Sequence, residues 1–420
     1  MPIIVAHPGT QHSTHAARGL QRAGLLDCLF TSFSLQRSGC LASAIKTLAP
    51  STHERLSQFR QHPGLSREEL RVFPAYLLAE RFGQSCRRVA SRAFARAAGR
   101  LALRHGAGVL AFDTNATETF RILSGRGLPR ILDQSATHRR WRERLDAEER
   151  ERYPAWNRSR TWAVTAPEVV AEEVEELELA DLVLCGSEFC ASTLVAEGVK
   201  SEKVAVVPYG ADTTRFAPGE ECGEGGGEIR LLFVGALALR KGIFYLLEAL
   251  KRVARLRVKL TLAGQLQVDE DALRPYADVI DTPGRLRHNH MPDLYRQHDV
   301  YVFPSLAEGS SLSIYEAMAS GLPVIATSSS GSIVRDGVEG FVIRPRDVDG
   351  LVAAIEKLAR HPELRLEMGR AARRRAVEFG DWTHYGERLA NTILSRFPSV
   401  DRSPRASGGI GGPGQLGGAP

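Results

Sequence analysis

The chain has no run of about 18 consecutive apolar residues, the length a helix needs to cross a bilayer. A membrane-embedded body is therefore not expected. The start of the chain is equally bare of a secretory leader, because Ile3–Ala6 is a short apolar run without a basic flank or a long apolar core. The reading that follows is a cytoplasmic chain. Its six cysteines (Cys28, Cys40, Cys86, Cys185, Cys190, Cys222) are irregularly spaced in a large chain, which favours reduced thiols over a disulfide framework. Cys185 and Cys190 come nearest to a ligand pair, but no second pair accompanies them, so no zinc or other metal site is expected. No repeat with a period of 20–50 residues is evident.

What is present is a chain of 420 residues, 43% apolar and 25% charged, which suits two soluble domains of about 200 residues each. The formal net charge of +6 is unevenly spread. Residues 1–105 hold 15 Lys/Arg against 5 Asp/Glu, so the rest of the chain is slightly acidic. Arg88, Arg92, Arg96, Arg100 and Arg104 recur every four residues and form one slowly winding basic stripe on a predicted helix. Three readings stay open for it: a solvated face, a contact with anionic lipid headgroups, or a phosphate-bearing acceptor. Aromatic side chains hardly interleave with these arginines, so the stacking platforms of nucleic-acid binders are missing and no nucleic-acid partner is expected.

Short β-like runs alternate with longer helical segments, the pattern of βαβ units and parallel sheets. Strands are predicted at Ile3–Ala6, Gly108–Phe112, Arg130–Asp133, Asp181–Cys185 and Lys203–Val207 in the first half. The second half adds Arg230–Val234, Val258–Ala263, Asp299–Phe303 and Leu322–Ala326. The fold class is then α/β, with two doubly wound Rossmann-like domains facing a cleft. We divide the chain into residues 1–208, 209–380, a C-terminal helix over 381–398 that crosses back to the first domain, and a Gly/Pro-rich tail over 399–420 expected to be disordered.

The most informative stretch is FPSLAEGSSLSIYEAMASGLPVIAT, in which a strand ends at Pro304-Ser305, a loop follows, and a helix starts. Backbone N–H groups of Gly309, Ser310, Ser311 and Leu312 can converge on a diphosphate, reinforced by the positive end of that helix. Glu308 and Glu316 flank the same place. Carboxylates repel phosphate but suit hydroxyls, and a sugar nucleotide carries hydroxyls on either side of its diphosphate. For Glu316 a helix cap is the competing reading, since Ser313 precedes it at capping-box spacing.

This stretch resembles the Glu-x7-Glu signature of the large retaining glycosyltransferase family 4, the glycosyl transferases group 1, of GT-B fold. FVGALALRKGIFYLLEAL resembles the family's strand, glycine loop and Lys-Gly helix start, and ADLVLCGSEFCASTLVAEGVKSEKVAVVPYGADTTRF its approach to the C-terminal domain. DVYVFPS and VRDGVEGFVI also fit. The resemblance covers about residues 180–395 well and the first half loosely.

By that resemblance Lys241 and Arg240 would neutralise the leaving diphosphate without a metal, and Gly235 would let the loop approach the phosphates. Glu308 would contact donor-sugar hydroxyls and Glu316 the ribose. Arg285, in Gly284-Arg285-Leu286, matches where the family meets the base, although a plain turn fits as well. Two departures stand out: Ala236 replaces the usual arginine after the glycine, and ATSSSGSIVRDG is shorter than the family's loop and lacks its acid.

In the first half, HPGTQHSTHAARGLQRAG places His7, Gly9, Gln11 and His12 at the C-terminal end of a strand, where open α/β sheets bind ligands. Gly9 is assigned to phosphate or acceptor contact. His138 follows another strand and, as in relatives, would contact the donor sugar or the acceptor hydroxyl. Asp113 also ends a strand. The charge-dense RRWRERLDAEERERYPAW reads as a solvated helix face. The resemblance implies transfer of a hexosyl group, with retention, from a nucleotide sugar to a lipid-linked or polysaccharide acceptor, without a cofactor. A GT-B sugar-nucleotide epimerase and a non-catalytic donor-binding subunit are the alternatives, and an anionic membrane surface is a further expected partner of the basic N-terminal half.

Overall fold

The structure is a computed structural model that describes residues 1–9, 11–34, 62–74, 76, 84–157, 165–219 and 228–400. Cys40, Cys222 and the tail beyond Val400 lie outside the described residues. Cys28, Cys86, Cys185 and Cys190 are free thiols.

Two parallel sheets carry the chain. The first holds β1 (Ile3–Ala6), β2 (Leu26–Thr31), β3 (Leu70–Val72), β4 (Gly108–Phe112), β5 (Arg130–Gln134), β6 (Leu182–Cys185) and β7 (Val204–Val206), in the order β3-β2-β1-β4-β5-β6-β7. The second holds β8 (Ile229–Val234), β9 (Val258–Ala263), β10 (Ile280–Gly284), β11 (Val300–Phe303), β12 (Val324–Thr327) and β13 (Gly340–Ile343), in the order β10-β9-β8-β11-β12-β13. Their inner strands read as unbroken apolar runs because helices cover both faces, and β1, β4 and β11 are buried at every position. Strand order reverses between β1 and β4 in one sheet and between β8 and β11 in the other. At such switch points the loops leaving the two strands diverge and open a crevice at their C-terminal ends.

Nine strands lie where the apolar runs place them, with ends moved by one or two residues. β2, β3, β10 and β13 were not anticipated. β10 (IDTPG) is an edge strand with three exposed residues and a proline, so it has neither apolar run nor alternation. β3 is only three residues long at the other edge.

The last helix, Trp382–Arg396, lies against helix Ser13–Arg22 of the first domain. A Cβ on Gly19 would stand 2.4 Å from the Gly386 Cα, so the two backbones touch where only glycine fits. Near them Asp133 is shared by the His12 Nε2 (2.8 Å) and the Tyr209 hydroxyl (3.1 Å), and the His12 and Tyr385 rings meet edge to face with centroids 5.7 Å apart. His15 stacks on Trp382 with ring centroids 4.1 Å apart. Among the described residues no helix is long and apolar enough to cross a membrane.

The charge-dense helix Arg139–Arg152 is not a solvated face, which corrects the sequence reading. Its Asp146 meets Arg240 at 3.5 Å, and its Glu149 accepts hydrogen bonds from the Tyr245 hydroxyl (2.9 Å) and Arg346 (2.8 Å) of the second domain. Tyr153, just beyond the helix, stacks on Phe244. Charged residues fill this helix because it joins two domains through ion pairs, and such a surface has the same composition as one facing water.

Candidate active site in the interdomain crevice

The segments that leave β8 and β11 build the site. After β8 the chain makes a tight turn over Leu239–Lys241 and then enters helix Ile243–Arg252. Gly242 closes the turn with φ 77°, and a Cβ there would fall 2.0 Å from the Pro304 carbonyl oxygen. Only glycine lets the turn press against the end of β11. That contact fixes Lys241: its ammonium sits over the Phe303 ring, 5.5 Å from the centroid, and donates to Glu308 Oε1 at 2.5 Å.

Glu308 has further partners. Ser305 Oγ donates to the same carboxylate oxygen at 2.7 Å, the Glu308 N–H donates to the Ser329 carbonyl at 3.0 Å, and Arg240 stands 3.7 Å away. Arg240 also donates to the Ala307 carbonyl at 3.0 Å. Burial pushes the Glu308 carboxyl up, but Lys241 and Arg240 outweigh it and hold it below the usual range, so it is ionised. Burial pushes Lys241 down, opposed by Glu308.

Past Glu308 the loop leads into helix Leu312–Ala319. The N–H groups of Gly309, Ser310, Ser311 and Leu312 donate to no other described residue, and they precede a helix whose first turn carries no acid. Such a set of free donors is suited to an anion. The side chains hold the loop in shape: Ser310 Oγ donates to the Gly331 carbonyl at 3.0 Å, and the Ser311 and Ser313 hydroxyls are 3.0 Å apart. Leu312 itself is exposed.

Glu316 is not a cap. The helix starts at Ser311 without a side-chain cap, and Glu316 Oε2 accepts from the Tyr295 hydroxyl at 2.9 Å. Burial raises its pKa to about 7. Because the folded protein holds this proton more tightly than the unfolded chain, the carboxyl costs stability as the pH rises from about 4.5 to 7. Glu316→Gln should therefore raise the melting temperature at pH 8 by more than at pH 5, read by differential scanning fluorimetry. An equal change at both pH values would refute the raised pKa.

The other sequence candidates fall in different places. Gly235 has φ 155° and its N–H donates to the Ala263 carbonyl at 2.9 Å, which places this loop directly at the end of β8. Arg285 is exposed, next to Gly284 (φ 73°) at the end of the edge strand β10. The Gly9 N–H donates to His7 Nδ1 at 3.1 Å. His138 lies at the start of helix Arg139–Arg152. Its ring is buried, and Nδ1 lies 4.0 Å from Glu197 without a hydrogen bond. Burial lowers its pKa. Asp113 receives the Ser135 hydroxyl at 2.8 Å, and burial pushes it up to about 6.

The first domain meets the Glu308 loop directly. Ser187 Oγ donates to the Gly309 carbonyl at 2.5 Å, and Gly309 packs on the backbone of Ser135. The arginine stripe runs along helix Gln84–His105, where Arg88 and Arg92 pair with Glu172 and Arg96 with Glu118 at 2.9 Å. Much of its charge is thus answered inside the domain. Arg92, Arg121, Arg139, Glu172 and Glu173 help line a cavity of about 460 Å³ there, a feature that no motif announced.

Two facing doubly wound α/β domains define the GT-B fold. Sucrose-phosphate synthase from Thermosynechococcus elongatus superposes with a TM-score of 0.61 over 95% of this chain and 100% of that one, at 17% identity. HepE from Anabaena, solved in complex with UDP-glucose, gives 0.59 over 94% and 100%, at 16% identity. Within this fold, residues 228–361 match the family model of glycosyl transferases group 1. An MMP α-(1→4)-mannosyltransferase of Mycolicibacterium hassiacum is 33% identical over 51% of this chain and 52% of its own length. A UDP-Gal:α-D-GlcNAc-diphosphoundecaprenol α-1,3-galactosyltransferase of Escherichia coli is 28% identical over 41% and 48%. The chain spans about half the length of these curated relatives.

Proposed function

We propose that the protein is a retaining glycosyltransferase of family 4 that moves a hexosyl group from a nucleotide-diphosphate sugar to a lipid-linked or polysaccharide acceptor. The observation that carries this is the pairing of four unengaged backbone donors at Gly309–Leu312 with the Lys241 and Arg240 cations on one side and two carboxylates flanking them. The donors and cations suit a diphosphate, and the carboxylates suit the hydroxyls of the sugar and the ribose. In this reading Lys241 and Arg240 neutralise the charge that builds on the leaving diphosphate, Glu308 orients the sugar, and Glu316 holds the ribose. Glu308 is ionised and hydrogen-bonded by Lys241 and Ser305, which suits it to accept hydrogen bonds from hydroxyls.

Fixed cations at the leaving group make a divalent ion unnecessary. The purified chain, incubated with a panel of sugar nucleotides, should hydrolyse one donor slowly, with the rate unchanged in excess chelator. A rate abolished by chelator and restored by a divalent ion would defeat the metal-free mechanism. Conversion of the donor to an epimeric sugar nucleotide would identify an epimerase instead, and turnover of no donor would leave a binding subunit.

A further inference from the structure

Helix Arg139–Arg152 places one arginine, Arg142, toward the crevice without a side-chain hydrogen bond or ion pair among the described residues. Arg142 lies one turn before Asp146, the carboxylate that meets Arg240, so both belong to the face packed on the Leu239–Lys241 turn. Its neighbours on the helix are engaged: Arg139 with Glu173, Arg144 with Glu197, and Arg150 with the Asp146 carbonyl at 2.8 Å. Among the described residues the Arg142 guanidinium makes no hydrogen bond and no ion pair, while its backbone N–H donates to the His138 carbonyl at 3.0 Å.

Its surroundings are cationic. Burial weakens its hold on its proton, and Arg139 and Arg240 act in the same direction. Lys241 feels the Arg142 charge as well. The three carboxyls whose charge reaches it have other partners or are pushed up: Glu173 is taken by Arg139, Asp146 stands 3.5 Å from Arg240, and burial pushes Asp113 up to about 6. A largely desolvated guanidinium beside two like charges is unfavourable until an anion joins it, and its planar fork of donors matches phosphate oxygens.

We infer that Arg142 is a phosphate-binding residue, supplied by the first domain to the crevice where the second domain places Lys241 and Arg240. The inference rests on the nucleotide-sugar reading of that crevice. The phosphate is either the donor's diphosphate or a phosphate on the acceptor, and in both cases its binding requires the two domains to be together.

The test is titration calorimetry of the full chain, wild type against Arg142→Ala and Arg142→Lys, with UDP, GDP and ADP and with the matching monophosphates. If the phosphate is the donor's, Arg142→Ala loses about 10–100-fold in nucleoside-diphosphate affinity, the range for a charged hydrogen bond, while the monophosphate is unaffected. Arg142→Lys should recover part of the loss. If it is the acceptor's, diphosphate affinity is kept, but the extra thermal stabilisation that inorganic phosphate gives the nucleotide-saturated wild type disappears in Arg142→Ala. A folded Arg142→Ala that matches wild type in both measurements overturns the inference. Should Lys241→Ala lose nucleotide affinity at the same time, the donor reading stands without Arg142, whereas a wild type that binds none of the nucleotides removes the donor reading itself.

Discussion

Lys241→Ala should slow turnover by roughly 10²–10³-fold under saturating donor, the usual size for losing one preorganised electrostatic group. The ammonium is held by the Leu239–Lys241 turn and the Phe303 ring, 2.5 Å from Glu308. It therefore needs no reorganisation when charge develops on the leaving group. Its removal also strips Glu308 of its nearer counter-charge, and with only Arg240 opposing burial the carboxyl must titrate at higher pH. The acid limb of the pH–rate profile should move upward in the variant. The melting temperature should change little, because an alanine leaves the turn and Gly242 intact. A variant with near-normal turnover and an unmoved acid limb would take Lys241 out of the leaving-group site.

Gly309→Ala should lower turnover by about 10²-fold, the scale of a displacement of around 1 Å between reacting groups. The added Cβ would fall 2.0 Å from the Ser135 carbonyl oxygen, which belongs to the backbone of the opposite domain. Neither loop can yield by rotating a side chain. The crevice must open slightly, carrying the Glu308 loop away from whatever the first domain presents. Nucleotide affinity should fall by no more than the removal of Arg142 costs it, and turnover under saturating donor should fall in addition, so the loss should appear in kcat. A fall in nucleotide affinity equal to the fall in turnover would show instead that the loop itself is distorted.

Both sheets were largely legible because strands buried on two faces must be apolar throughout, as at Ile3–Ala6 and Val300–Phe303. Edge strands escape this rule, and β10 with its exposed Asp281 and Thr282 shows why they were not seen. The Glu308–Glu316 stretch was legible because its chemistry is local: one loop and one helix start carry both carboxylates and the free N–H groups. What depends on the other domain was not. Asp146 and Glu149 look like any surface acid until Arg240 and Tyr245 stand opposite. Arg142 is hidden for the same reason, as one arginine in a run of them. For His138 the position after a strand was readable, whereas the neighbourhood of its ring, with Glu197 4.0 Å away, depends on a later helix end and was not.

The contact of Gly19 with Gly386 bears on how the polypeptide acquires its shape during synthesis. The first domain's outer helix Ser13–Arg22 waits for a partner almost the whole chain later, and so does His12, whose ring meets Tyr385 edge to face. The second domain takes its strands from residues 229–343 alone and can close as soon as these have left the ribosome. The stripe of the first domain around Gly19 therefore stays uncovered until residues 382–396 have been made. Deleting the last helix would leave that stripe open for good and turn the first domain into a substrate for chaperones and proteases.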